Sequence, residues 1–209
     1  MKTISGYYLF FLLYIFVCVT PAFSFDDPSL NLKYQSLMSV HEKVLSSIKD
    51  RKIKDAYAAT HQSFIVYLKA EEKNLAIFNE TIKYKREEMN IFKENIGMIL
   101  YQRSYELSSI LHNNDKWLTQ KVNNEIFSAF AVVNQRVPYD RGEPYRPTFR
   151  AVDKTWKIFV EKERNFYSLH KRNGKAMAEK SVGVLYETRT QNLRREHKGV
   201  MLIKIEKEE

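Results

Sequence analysis

The chain has 209 residues, with 34 Lys+Arg against 25 Asp+Glu (formal charge +9), one Cys, six Gly and five Pro. That length fits one medium domain or two small ones, and 44% apolar residues, with 13 Phe and 13 Tyr, exclude wholesale disorder. A single Cys excludes a disulfide framework and a Cys-based zinc site, and few Gly and Pro argue against a turn-rich all-β fold.

Residues 1–24 read as a secretory signal peptide. Lys2 supplies a positive start, Tyr7 to Val19 is an almost unbroken apolar run, and Ala22-Phe23-Ser24 places small residues around a cleavage site. The run is shorter than the ~20 residues a membrane span requires, so no stable membrane insertion is expected. Cys18 follows Val17 where lipidation wants a small residue, so it leaves with the leader. Removing 24 of 209 residues leaves about 185 with no Cys, and 33 basic against 25 acidic residues give +8. An exported chain without disulfides rests on its core alone. Export to the periplasm also removes nucleic acid from the expected partners.

From Ser29 to Val137 there is no Pro and only one Gly, Gly97, which predicts helices with short polar connections. Apolar residues recur at spacings of three and four, starting with Leu30, Tyr34, Leu37, His41, Val44 and Ile48. Ile53, Tyr57, Thr60, Phe64, Tyr67, Glu71, Leu75 and Phe78 form the second stripe. Met89, Phe92, Ile96, Ile99, Arg103, Leu107 and Ile110 form the third. In the second half, Leu118 to Val133 predicts a fourth helix. Phe149 to Phe166 predicts a fifth, with Trp156, Phe159 and Glu163 on its stripe. Val182, Leu185, Arg189 and Leu193 predict a sixth. Pro138, Gly142, Pro144 and Pro147 predict one long loop, and Asn173-Gly174 a tight turn. The charged tail, 201–209, reads as a short strand or a frayed helix.

The halves match in order. Asp27-x-x-Leu30-Asn31-x-Lys33-Tyr34 recurs as Asp115-x-x-Leu118-Thr119-x-Lys121-Val122. Phe64-x-x-Tyr67-Leu68-x-x-Glu71 recurs as Trp156-x-x-Phe159-Val160-x-x-Glu163. Ile96-Gly97-x-Ile99-x-x-x-Arg103-x-x-x-Leu107 recurs as Val182-Gly183-x-Leu185-x-x-x-Arg189-x-x-x-Leu193. Offsets of 88, 92 and 86 residues imply a tandem duplication. The expected architecture is an all-α helical bundle of two three-helix units, 25–113 and 114–200, packed together because either alone is a marginal core.

At these residues the chain resembles the LprI-like lysozyme-inhibitor family of bacterial envelope proteins, in two degenerate copies. Asp27, Leu30, Asn31 and Tyr34 look like the family's opening. Trp156, Phe159 and Glu163 look like its middle, Phe64, Tyr67 and Glu71 more loosely so. Arg103/Leu107 and Arg189/Leu193 look like its close. The family's Cys positions correspond to Glu72, Asn95, Arg164 and Ser181 here, as if both disulfides had been lost. The resemblance implies an exported protein that binds and blocks an enzyme acting on the cell wall.

Charges on apolar stripes need partners, because desolvating them is expensive. The expected pairs are Glu71–Arg103 and Glu163–Arg189, one in each unit, with a structural rather than catalytic role. His41, His61, His112, His170 and His197 form no His-x-x-x-His face, and no nucleophile elbow or phosphate loop occurs, so no enzyme, metal or cofactor is expected. The expected partner surface is the Pro-stiffened loop 136–147, with Tyr139, Asp140, Arg141, Tyr145 and Arg146 plugging an active-site cleft. Aromatic and Arg side chains dominate interfaces, and a stiff loop loses less entropy on binding. The positive balance repels a basic lysozyme, so the expected target widens to peptidoglycan-targeting enzymes, including a delivered toxin met by an immunity protein. The alternatives are a non-inhibitory envelope scaffold and a helical module that binds anionic surfaces through charge runs such as Lys83–Arg86.

Overall fold

A computed structural model describes residues 25–81, 86–114, 116, 118, 123–141, 145–170 and 174–208; within the helices, the side chains of 75, 78–81, 86–92, 138–141 and 196–208 are outside that description. The signal peptide expected at 1–24 lies outside the described residues. The chain is an all-α bundle with six helices and no strand among the described residues. They are α1 (Pro28–Ser47), α2 (Arg51–Thr81), α3 (Arg86–Leu111), α4 (Asn124–Arg141), α5 (Tyr145–His170) and α6 (Gly174–Glu208). None is long and apolar enough to cross a membrane.

Local chemistry sets the helix ends. Pro28 opens α1, where a missing N–H is harmless, and the Asp27 carboxylate accepts from Ser29 N at 3.0 Å and Leu30 N at 3.2 Å. Lys93 on α3 reaches the same carboxylate at 2.6 Å, tying the start of α1 to α3. Asp50 caps α2 through Ile53 N at 3.0 Å. Asn123 caps α4 through Ile126 N at 2.8 Å. After α3, Asn113 takes a left-handed φ of 51°, and bonds from Asn113 N to Ile110 O and Asn114 N to Ser109 O close the helix.

The predicted stripes are the buried ones. Leu30, Tyr34, Leu37, His41 and Val44 face inward on α1; Phe149, Val152, Trp156, Phe159, Val160, Glu163 and Phe166 do so on α5. Three boundaries differ from expectation. α4 begins at Asn124 rather than Leu118, although Leu118 is itself buried. α6 runs without a break through the expected tail to Glu208. The long loop at 136–147 is also replaced: α4 continues through Arg141 and α5 starts at Tyr145, leaving only 142–144 between them. The prolines did not prevent this. Pro147 sits in the first turn of α5, where no helical N–H bond is lost, whereas Pro138, in the last turn of α4, gives up one bond, to Asn134 O.

The most extensive helix contact joins α2 to α5, one helix from each expected unit. They run antiparallel. Tyr57 packs on Phe166, Thr60 Oγ1 donates to Lys162 O at 2.9 Å, Phe64 packs on Phe159, and Asn74 Nδ2 donates to Tyr145 Oη at 3.3 Å. α3 lies mainly along α1, while α6 packs on both α4 and α5. The expected boundary at 113/114 falls in the connection between α3 and α4.

Two glycines differ in what a side chain would meet, backbone in one case and a flexible side-chain end in the other. A methyl group on Gly174 would land on the Ser168 carbonyl, whereas one on Gly97 would meet only the end of the flexible Lys33 side chain. Gly174→Ala should therefore lower unfolding free energy by about 2 kcal/mol or more. Gly97→Ala should be neutral or gain up to ~1 kcal/mol of helix propensity. Urea unfolding of the two variants checks this contrast.

Candidate functional site

The four stripe charges all lie in the core, but their pairing is exchanged. Arg103 on α3 donates to Glu163 on α5 at 2.9 Å, and Arg189 on α6 bonds Glu71 on α2. The expected pairs Glu71–Arg103 and Glu163–Arg189 are thus corrected: each arginine crosses to the glutamate of the other half. The reason is packing. Glu71 and Glu163 sit on the two central helices, and the α2/α5 contact carries each toward the arginine-bearing helix of the opposite half.

The two pairs differ in detail. Arg103 also donates to Glu106 at 2.9 Å, and Gln102 Nε2 approaches that carboxylate at 3.4 Å. The guanidinium lies 5.6 Å and 5.2 Å from the ring centres of Phe64 and Phe159. Arg189 has the Tyr67 hydroxyl at 3.4 Å and the Tyr67 ring beneath it, and Tyr67 Oη donates to Glu71 at 3.2 Å. Burial works against the charge of Arg103, but the carboxylates of Glu163 and Glu106 outweigh it and hold its pKa above the ordinary value. Burial pushes the Glu106 carboxyl up to about 7; Arg103 pulls it down and the Glu163 carboxylate adds to the rise.

A cavity of about 30 Å³ lies between the two networks, lined by Arg103, Glu106, Arg189, Asn192, Tyr67 and Phe159 among others. That is room for a water or two, not for a substrate. Arg103 Nε and Nη2 and Glu163 Oε2 have no protein hydrogen-bond partner there among the described residues. The arrangement can hold charge and exchange a proton at Glu106. Among the described residues, no cluster of three or more His, Cys, Asp or Glu gathers as a metal site would need.

Beside this network His41 and His61 stack face to face at 3.4 Å between ring centres, and His41 Nδ1 lies 2.8 Å from Tyr57 Oη. Burial, with Arg103 nearby, lowers the His41 pKa to about 4. Burial lowers His61 further, with His41 and Arg103 adding to the effect. Both rings are neutral core groups at pH 7.

The expected plug residues separate. Tyr145 is buried, packed against the Phe149 ring and bonded to Asn74, so it belongs to the core and not to a partner surface. Arg146 is half-buried. Tyr139, Asp140 and Arg141 lie in the last turn of α4, with side chains outside the described residues.

Sequence reading missed Glu106. Its counterpart 86 residues on is Asn192, so comparing the halves hides it. The available signal was its i,i+3 spacing from Arg103, next to the buried Leu107.

Two outcomes follow. In double-mutant cycles on unfolding free energy, Arg103/Glu163 and Arg189/Glu71 should couple by about 1–3 kcal/mol, while Arg103/Glu71 and Arg189/Glu163 should be close to additive. Single removals such as Glu163→Gln should cost roughly 3–5 kcal/mol, because the partner is left buried and charged. For Glu106 the folded pKa lies above the unfolded value, so the unfolded chain ionises first as pH rises. Its contribution to stability is present below about pH 4.5 and lost as pH rises toward 7. Glu106→Gln should flatten that part of the stability–pH curve, and a curve unchanged in slope would refute the assignment.

Comparison with protein-family models, with curated proteins and with solved structures yields no match.

Proposed function

We propose that the chain is an exported, periplasmic binding protein of two related three-helix units that blocks a peptidoglycan-targeting enzyme, in the manner of a lysozyme inhibitor or an immunity protein. The exchanged pairs Arg103–Glu163 and Arg189–Glu71 support the duplication, since a unit packed on its own copy about a two-fold axis produces reciprocal contacts of this kind. The resemblance at Asp27–Tyr34, Trp156–Glu163 and Arg189–Leu193 supplies the class of target.

The observation that carries the binding role is the outer face of α4. Val132 is 52% exposed and Arg136 is exposed, while Phe130 and Val137 are buried and fix the helix to the bundle. Position 139 follows Val132 by seven residues, so the backbone register continues that face to the segment bearing Tyr139, Asp140 and Arg141. The contact element is a helical ridge, not a loop, and a ridge held by the core loses little entropy on binding. The +8 balance of the chain without its leader suits a neutral or acidic enzyme better than a basic one.

A panel of acidic, neutral and basic peptidoglycan hydrolases, assayed on purified cell wall, tests the reading. Saturable one-to-one inhibition of an acidic or neutral enzyme is expected. Val132→Asp, Tyr139→Ala or Arg141→Ala should weaken it at least tenfold with the melting curve unchanged. Inhibition indifferent to all three changes, or absent across the panel, rejects it.

A further inference from the structure

A second, larger opening lies elsewhere, between α1, α3 and the α6 residue Arg195. Its volume is about 850 Å³, within the range of small-ligand sites. Its lining is mostly apolar but carries several hydrogen-bonding groups. Lys33 and Ser36 come from α1, Glu94, Tyr101 and Ser104 from α3, and Arg195 from α6. Positions 94, 97, 101 and 104 share one face of α3 because they recur at three and four residues.

Gly97 keeps the floor low. The Lys33 ammonium lies 2.8 Å from where a Gly97 side chain would begin, so the end of the lysine rests against α3 at Gly97. Lys33 and Arg195 are both exposed, and neither makes an ion pair among the described residues. Two cations from different helices thus line one opening that holds a single carboxylate, Glu94, a net positive setting that attracts an anion. Tyr101 is 63% exposed and Met98 42%, which gives an aromatic and thioether platform beside the cations. Ser36, Ser104 and Glu94 add hydroxyl and carboxylate groups that can bond to ligand hydroxyls.

We infer that this groove is a binding site for an acidic carbohydrate, a sugar ring bearing a carboxylate. The carboxylate fits the Lys33/Arg195 pair, the ring face fits Tyr101, and the ring hydroxyls fit Ser36, Ser104 and Glu94. A bare inorganic anion would leave the Tyr101 platform and the hydroxyl partners unused. A neutral sugar would leave the positive excess of the opening unmatched. The site lies on different helices from the α4 ridge and stands independently of the enzyme-blocking reading.

The full chain is titrated calorimetrically with tetragalacturonate, with neutral chitotetraose, with inorganic phosphate and with phosphatidylglycerol vesicles. Saturable one-site binding of tetragalacturonate is expected, at least tenfold tighter than of chitotetraose or phosphate. Lys33→Glu, Arg195→Glu and Tyr101→Ala should each weaken it at least tenfold at an unchanged melting temperature, while Val132→Asp should not. Equal affinity for phosphate, or no effect of Tyr101→Ala, reduces the groove to a generic anion patch and overturns the inference. Vesicle binding lost in the same three variants overturns it in favour of a lipid surface, and no tetragalacturonate binding at millimolar concentration overturns it outright. An inhibition assay that fails on the α4 variants bears on the other reading alone.

Discussion

The buried guanidinium of Arg103 sets the terms for the rest of the bundle. A charge with 1% of its side chain exposed must be compensated on the spot, and two carboxylates, Glu163 and Glu106, do so at 2.9 Å each. One carboxylate comes from its own helix and the other from α5, so α3 and α5 cannot slide or rotate without exposing an unpaired charge. Phe64 and Phe159 close the aromatic envelope around it. Arg189 and Glu71 impose the same condition on α6 and α2. Four helices from both halves are therefore tied through the antiparallel contact of α2 and α5.

The two networks are similar but not equivalent. Glu106 gives the first one a second carboxylate, and the counterpart position in the second is Asn192. Two carboxylates around one guanidinium leave a surplus negative charge when all are ionised. Burial, together with that surplus, raises the Glu106 carboxyl toward neutrality. The neutral His41/His61 stack beside it adds polar groups without adding charge. The interior thus carries an uncommon polar load for a disulfide-free chain, and its aromatic core supplies the compensating burial.

A rigid interior leaves its outer faces free for recognition. The α4 ridge and the α1/α3 groove lie on different helices and offer different chemistry. The first pairs an exposed aliphatic with an arginine on a helix fixed by Phe130 and Val137. The second gathers two cations, an exposed tyrosine and several hydroxyls around one opening. Neither surface draws on the buried ion pairs, whose role is to hold these helices in place.

Helical periodicity is a local property, and it was legible in the sequence. The stripes through Leu30–Val44, Ile96–Ile110, Phe149–Phe166 and Val182–Leu193 are the buried faces, because spacings of three and four residues place side chains on one side of a helix whatever it packs against. The same logic placed Glu71, Arg103, Glu163 and Arg189 inside. Which glutamate meets which arginine was not legible, since it depends on α2 choosing α5 over α3 as its main neighbour. Proline content also misled at 136–147, because Pro147 occupies the first turn of α5, which tolerates it, Pro138 falls only in the last turn of α4, and Tyr145 turns inward to Asn74. By itself the sequence determined an all-α bundle with charged residues in its core. The tertiary structure alone decided the exchange of partners between the halves, because it arises from contacts between residues 60 and 118 positions apart, which no local pattern encodes.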